Sequence, residues 1–405
     1  MRDTHNNSAR WLNRTVLGIG LASLLCDWSQ ETATAILPAF LATMGAAAAW
    51  LGVIEGVSDG VSCFTKIGSG YFTDKLPRRK PVAVIGYLVT ALGTASFSLA
   101  AAAWNVLLAR SLACLGRGAR TPVRKALLAG AVTRETYGRA FGFERMMDTA
   151  GAIAGPVTAF VLLTVFHRSY STVFALTLIP GLAAAAVIAF AVKEKSRAPV
   201  PHISLGARWR LLPPAYRRFL AAVGLFGAGD CAPTLFILLA VQRLAPAHGT
   251  AKAASIAVAL YVVRNIVYSI CALAAGRLAD RMAKTRLLAA GFFLAAVMAV
   301  GIIALPAAVW ALVLIFVLAG VYVAMVETLE DSLCAELADE AHHGLAFGVL
   351  AAVNGAGDFV SSIIVGALWN AFGSRAAFAY CAVLFIAGAL LAARIQTQSS
   401  SGGTD

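Results

Sequence analysis

Gly70-Tyr-Phe-Thr-Asp74-Lys75-Leu-Pro77-Arg78-Arg79-Lys80 returns 206 residues later as Gly276-Arg277-Leu-Ala-Asp280-Arg281-Met-Ala-Lys284-Thr-Arg286. In both copies an apolar run ends in a glycine, an acid four residues on and a cluster of bases. Gly138-Arg139-Ala-Phe-Gly142 matches Gly344-Leu-Ala-Phe-Gly348 at the same offset, and Asp148-Thr-Ala-Gly151 lies opposite Asn354-Gly-Ala-Gly357. Asp27 and Asp230 nearly share it, at a separation of 203. Three matches in register mark an internal duplication.

The units so duplicated are not soluble domains. Of 405 residues, 60% are hydrophobic and 13% charged, with a mean hydropathy of +0.78. Soluble domains average about 45–50% apolar and about 25% charged. The excess has no single core to hide in, so lipid must be the solvent for most of the chain. That excludes a soluble enzyme, a secreted disulfide scaffold and a disordered tail protein. The seven cysteines (26, 63, 114, 231, 271, 334 and 381) fall inside apolar stretches without a CxxC pair. They read as small packing residues.

A helix crossing about 30 Å of hydrocarbon needs about 20 mostly apolar residues. Twelve such runs occur: 16–42, 48–72, 81–101, 104–131, 139–165, 170–192, 216–242, 253–275, 286–305, 308–334, 343–371 and 375–394. This predicts an all-α polytopic membrane protein. Residues 1–192 form one six-helix half and 216–394 a second, with a linker over 193–215 and a disordered tail over 395–405. The opening MRDTHNNSARWLNR lacks a signal-peptide pattern, so the first span is expected to be retained.

Lys+Arg outnumber Asp+Glu by 33 to 20, giving +13. The bases concentrate in one set of loops: Arg2, Arg10 and Arg14; Lys75 to Lys80; Arg134 and Arg139; Lys193, Lys195, Arg197, Arg208 and Arg210; Arg277 to Arg286. The opposite loops hold chiefly Arg168, Arg243, Lys252 and Arg375. The positive-inside rule then places both termini in the cytoplasm of a cell whose cytoplasmic (inner) membrane the chain spans. The charge is a topology signal, not a nucleic-acid footprint. An even number of spans per half makes the repeats parallel about an axis along the membrane normal, which puts a binding site between the halves.

Twelve spans in two parallel halves resemble the major facilitator superfamily. Gly70-x-x-x-Asp74-Lys75-x-Pro77-Arg78-Arg79-Lys80 is similar to its loop 2–3 signature, with Pro77 where glycine is usual. Gly142, Gly151, Gly155 and Pro156 resemble its antiporter signature, but Ala159-Phe160 replaces the closing glycines. Arg110 precedes Gly116-Arg117-Gly118 by six residues where four is usual in the span 4 arginine motif. The run from Gly116 to Leu127, with Ala140 to Phe143 and Met147 to Thr149, resembles a prokaryotic subgroup without a settled substrate. The resemblance implies an MFS transporter with the MFS fold. It also implies that Gly70, Asp74, Arg78, Arg79, Gly276, Asp280 and Arg281 form a loop latch made and broken during alternating access. Asp74 is expected to accept hydrogen bonds from the N-terminus of span 11 or from a span 4 arginine.

Charges at mid-membrane cost about 2.5–3.5 kcal/mol on insertion scales and therefore need water, a partner or a task. Asp27 and Glu31 share a face of span 1, and Glu55 and Asp59 repeat that spacing in span 2, with Lys66 further inward. Asp230, Arg264, Asn354 and Asp358 lie within spans 7, 8 and 11. The resemblance makes spans 1, 7, 8 and 11 cavity-lining, so these are the expected proton-coupling and substrate positions. Span 4 carries Arg117, Arg120, Arg124 and Lys125, while span 10 carries Glu327, Glu330 and Asp331. They predict either a gate of ion pairs between the halves or a network within one half with Glu144, Arg145 and Asp148.

There is no GxxxxGK[ST] phosphate cradle, no nucleophile–base motif and no cofactor motif, which leaves an ion gradient as the energy source. A buried carboxylate can alternate its protonation as a cavity changes sides, and Asp27, Asp230 and Asp358 are the candidates. His342-His343, beside Glu336, Asp339 and Glu340, reads as a solvated loop rather than a metal site. The leading expectation is a monomer, not an enzyme, that exports a small solute against protons. The alternatives are symport of an anionic metabolite held by Arg264 and Arg117, divalent-metal export through Asp27, Glu31, Asp230 and Cys231, and a non-transporting sensor. No nucleic acid and no metal cofactor are expected.

Overall fold

The computed structural model describes residues 11–45, 48–194 and 212–395. Arg2, Arg10, the basic stretch from Lys195 to Arg210 and the tail beyond Ile395 lie outside the described residues.

The first half holds α1 (Arg14–Thr43), α2 (Ala48–Thr73), α3 (Lys80–Ala95), α4 (Ala103–Ala129), α5 (Tyr137–Thr164), α6 (Tyr170–Leu176) and α7 (Leu178–Ala191). The second holds α8 (Pro214–Gly227), α9 (Pro233–His248), α10 (Thr250–Ala279), α11 (Lys284–Ala304), α12 (Val309–Leu337), α13 (His343–Phe372) and α14 (Ser374–Ala393). Among the described residues eight segments are long and apolar enough to cross a membrane. The remaining spans are α1, α2 and α4, which carry embedded charges, and the interrupted pair α8–α9. Asn13 starts α1 by accepting the Thr15 and Val16 amides at 2.9 and 3.0 Å, and its own amide donates to Ala131.

Two predicted spans are each split. In the sixth, Pro180 has no N–H for the Leu176 carbonyl, and the helix breaks at Thr177, whose carbonyl accepts Ser29 Oγ at 2.8 Å. In the seventh, Gly229 and Pro233 end the ladder, so residues 228–232 are non-helical where one continuous helix over 216–242 was expected. The backbone groups released there find hydroxyls: Tyr380 donates to Ala228 O at 3.0 Å and Ser361 to Asp230 O at 2.7 Å. Irregular backbone at membrane depth is tolerated only when satisfied this way.

Within the first half α1 packs on α5 and α7, and α4 on α2 and α3. Within the second, α11 packs on α12 and α14, and α10 on α9 and α12. Between halves the main contacts are α5 with α10 and α2 with α13. Lipid is as apolar as leucine, so close packing rather than transfer from water drives these contacts. Phe226 illustrates it in the second half, stacked on Phe292 at 4.1 Å and Phe385 at 4.7 Å.

The seam between halves obeys the 206-residue repeat. Asp74 accepts the amides of Gly344 and Leu345 at 3.0 and 2.9 Å, at the N-terminus of α13. Asp280 accepts those of Gly138 and Arg139 at 2.8 and 3.2 Å, at the N-terminus of α5. Asp74 plus 206 is Asp280, and Gly138 and Arg139 plus 206 are Gly344 and Leu345, so the two junctions exchange under the repeat and the halves meet about a pseudo-twofold axis. Gly70 lies so near Gly344 that a Cβ would come within 2.2 Å of its carbonyl, and Gly276 stands in the same relation to Gly138. Every glycine whose Cβ would collide with the opposite half (Gly70, Gly138, Gly142, Gly276, Gly344, Gly348) lies at this end of the bundle, the end bearing the basic loops.

Candidate functional site

Because α5 and α13 are equivalents, their first turns face each other across the axis. Tyr137 and His343 open the two helices and touch ring to ring at 6.5 Å, although His343 was expected in a solvated loop; it is buried, with Nε2 at 3.0 Å from Ala335 O. One turn further in, Phe141 meets Phe347 at 5.7 Å. Next, Lys125 of α4 donates to Asp331 of α12 at 2.5 Å. Each pair is separated by 206 residues, so each is a residue in contact with its own repeat equivalent. Only positions on the axis can do that. The three pairs form a plug along it.

Above the plug lies a cavity of about 240 Å³ between the halves. The first half contributes Asp27, Lys66, Arg117, Arg120, Arg124, Lys125, Arg145 and Asp148; the second contributes Asp230, Glu327, Glu330, Asp331 and Asp358, with Asn354. All six bases thus stand on one wall and five of the seven acids on the other. Glu31, Asp59 and Arg264 are not among the lining residues. Arg264 is buried, with Nη1 on its neighbour Asn265 at 3.0 Å.

Both arrangements expected for the span 4 charges occur, from adjacent residues. Arg124 turns inward to its own half, to Glu144 at 2.8 Å, Asp148 at 3.2 Å and Ser23 at 2.6 Å. Lys125 crosses to Asp331. Arg145 bridges both, reaching Asp148 at 3.4 Å, Glu327 at 2.8 Å and Asp331 at 3.1 Å. Tyr268 donates to Glu327 at 2.5 Å and Asn354 to Glu330 at 2.7 Å. Arg120 stacks over Tyr87 at 4.6 Å and stands 3.9 Å from Asp27. Asp230, at the break in the seventh span, accepts the Tyr322 hydroxyl at 3.0 Å, its one side-chain partner among the described residues. Asp358 has no ion pair or side-chain hydrogen bond among the described residues.

The remaining candidates serve the frame. Asp74 also receives Arg79 at 2.5 Å, a base from its own half, whereas Asp280 receives Arg139 at 2.6 Å, from the other. Arg78 and Arg281 are exposed. Arg110 links Glu55 and Thr34 at 3.2 and 3.0 Å. Gly151 and Gly155 let α5 approach α1, at Leu24 and Glu31–Thr32, and Pro156 follows within the helix. Among the described residues no group of three or more His, Cys, Asp or Glu is placed to hold a metal ion. All seven cysteines are free. The aromatic pairs, Ser23, Tyr268 and Tyr322 were not singled out from the sequence, yet the repeat already aligned Phe141 with Phe347.

An assembly with these features can hold a charged solute and rearrange ion pairs as its halves move. Comparison with known proteins agrees with that architecture. An uncharacterized MFS-type transporter of Methanocaldococcus jannaschii, MJ1317, is 26% identical over 96% of both chains. The multidrug resistance protein MdtH of Photorhabdus laumondii is 34% identical over 28% of this chain and 29% of its own. The fucose transporter FucP in its outward conformation superposes with a TM-score of 0.74 at 16% identity, covering 95% of this chain and 100% of that one. The human organic anion transporter MFSD10 gives 0.73 at 15% identity, over 94% and 99%. The family model described as Major Facilitator Superfamily matches residues 19–245 and 234–403, and the chain is a multi-pass membrane protein that belongs to that family.

Proposed function

We propose that the chain is a proton-coupled secondary transporter that exports a small solute across the cytoplasmic membrane by alternating access. The observation that carries this reading is the charged cavity on the pseudo-twofold axis, closed at the basic end by the axial plug and the two aspartate–helix junctions. With the basic loops in the cytoplasm, this conformation is the one closed inward. Opening inward requires the halves to part at Asp74–Gly344 and Asp280–Gly138, and Lys125 and Arg145 to leave Asp331 and Glu327.

Asp27, Asp230 and Asp358 are the coupling carboxylates. They line the cavity and have few or distant partners, so each can take a proton from one side and release it to the other. The likeness of part of the chain to MdtH, whose name assigns it to multidrug resistance, and the helix 5 glycines favour export. A solute that raises the melting temperature in a compound screen provides the cargo for flux assays. In proteoliposomes containing a pH dye, that cargo is expected to drive proton movement. Asn replacements at the three aspartates are expected to abolish coupling at one or more of them. Intact coupling in all singles and in the triple variant would falsify the assignment, and binding without flux would make the protein a sensor.

A further inference from the structure

Four of the six bases in the cavity wall have a carboxylate of the protein beside them: Arg120, Arg124, Lys125 and Arg145. The other two, Lys66 and Arg117, have no ion pair and no side-chain hydrogen bond among the described residues. Both line the cavity, and Arg117 is exposed to it. They come from neighbouring helices that touch at this level. Gly118 lies so close to α2 that a Cβ would come within 2.7 Å of Ser62 O and Thr65 Cβ. The backbone at Lys66 runs close to the other half, since a Cβ on Gly348 would come within 2.7 Å of the Lys66 carbonyl oxygen.

Two neighbouring cations at membrane depth that make no direct ion pair leave their donors unfilled, although Asp27 and Asp148 line the same cavity. Arginine offers a planar fork of donors that matches carboxylate and phosphate, and lysine adds a compact point charge. We propose that Lys66 and Arg117 form an anion subsite that takes a carboxylate or phosphate group of the cargo. The assignment rests on the transporter reading and names the chemical class of its solute. The facing wall contributes carboxylates and no base, so an anionic group has one side of the cavity open to it. The cargo therefore enters in one orientation, its anionic end toward the first half.

Thr121 lies one helical turn beyond Arg117 and lines the same cavity. In the full chain carrying Thr121→Cys, modification of residue 121 is followed by mass spectrometry with an anionic and a cationic methanethiosulfonate. Each rate is normalised to that of the same reagent with a small free thiol. The anionic reagent is expected to react faster by about tenfold or more, as two nearby positive charges require at low effective dielectric. The preference should fall toward unity in Lys66→Gln/Arg117→Gln and survive in Lys66→Arg/Arg117→Lys. In parallel, a fixed panel of small carboxylates and phosphate monoesters, each beside its neutral amide or alcohol and an amine of similar size, is tested for thermal stabilisation. Stabilising compounds are expected among the anions, with the shift lost in the Gln variants. A normalised ratio near one, no stabilising anion, or an anion shift that survives both Gln changes overturns the subsite. If neither reagent reaches residue 121, the accessible cavity is wrong and the transporter reading falls with it. If both reach it equally, only the anion assignment falls.

Discussion

At Asp74 a fully buried carboxylate receives Arg79 and two backbone amides of the other half. Hydrogen bonds to a charged group contribute about 1.5–3 kcal/mol each, and a neutral amide in its place both weakens them and turns a donor toward donors. Asp74→Asn is therefore expected to cost about 2–3 kcal/mol of the closed form, read as a lower melting temperature in detergent. Glycine makes the complementary point. Gly276→Ala would thrust a methyl group within 2.2 Å of Gly138 O and must force the seam apart. Gly56→Ala meets nothing within 4 Å and should raise stability by about 0.5–1 kcal/mol, the ordinary gain of alanine over glycine within a helix. If both substitutions moved the melting temperature the same way, the seam would not be where the glycines place it. The Lys125–Asp331 pair is nearly buried on both sides. Lys125→Ala should destabilise by about 3 kcal/mol, because Asp331 then keeps Arg145 as its one ion-pair partner among the described residues, whereas Lys125→Arg, which keeps the cation, should recover much of the loss.

The break between α8 and α9 shows what an element owes to distant residues. Four prolines, Pro38, Pro122, Pro156 and Pro246, sit inside unbroken helices, while Pro180 and Pro233 sit in the first turn of the helix that follows each break. Proline alone therefore does not decide; at the break between α8 and α9 hydroxyls arrive to take the released carbonyls. Ser361→Ala and Tyr380→Phe each strand a carbonyl and should each cost about 1–3 kcal/mol, nearly additively, in thermal unfolding. Strong additivity failure would mean that the two carbonyls are satisfied another way. This also marks how far the sequence can be read. The spans, the repeat and the loop motifs were legible because lipid imposes a length and a polarity on every helix. The seventh span was read as continuous because its apolar content is continuous, although Gly229 and Pro233 were visible. Which of Arg124 and Lys125 crosses the seam was not legible: neighbours on a helix point about 100° apart, and only the packed partner tells which faces the axis.

For the whole molecule, opening at the basic end requires the pairs on the axis to separate. A cleavable thiol crosslinker joining Tyr137→Cys to His343→Cys should stop transport, and its reduction should restore it; each single variant should be insensitive to the reagent. Continued turnover while crosslinked would show that the basic end need not open at this point. Asp74→Asn and Asp280→Asn weaken the two symmetric junctions, so both should increase labelling of a cavity cysteine from the basic side of sealed vesicles. The two need not match in size, because Arg79 supports Asp74 from within its half while Arg139 supports Asp280 from across the seam.

The axial pairs carry one more consequence. In a homodimer of identical halves, a residue on the twofold axis can only meet a copy of itself. Lysine would face lysine there, or aspartate aspartate, and like charges in contact within the bundle repel. A salt bridge on the axis requires two halves whose sequences differ at that position. Lys125–Asp331 and Tyr137–His343 are thus contacts that the difference between the halves makes available, and Phe141–Phe347 is one that identical halves could also make. The axis is where this protein is least free to remain symmetric.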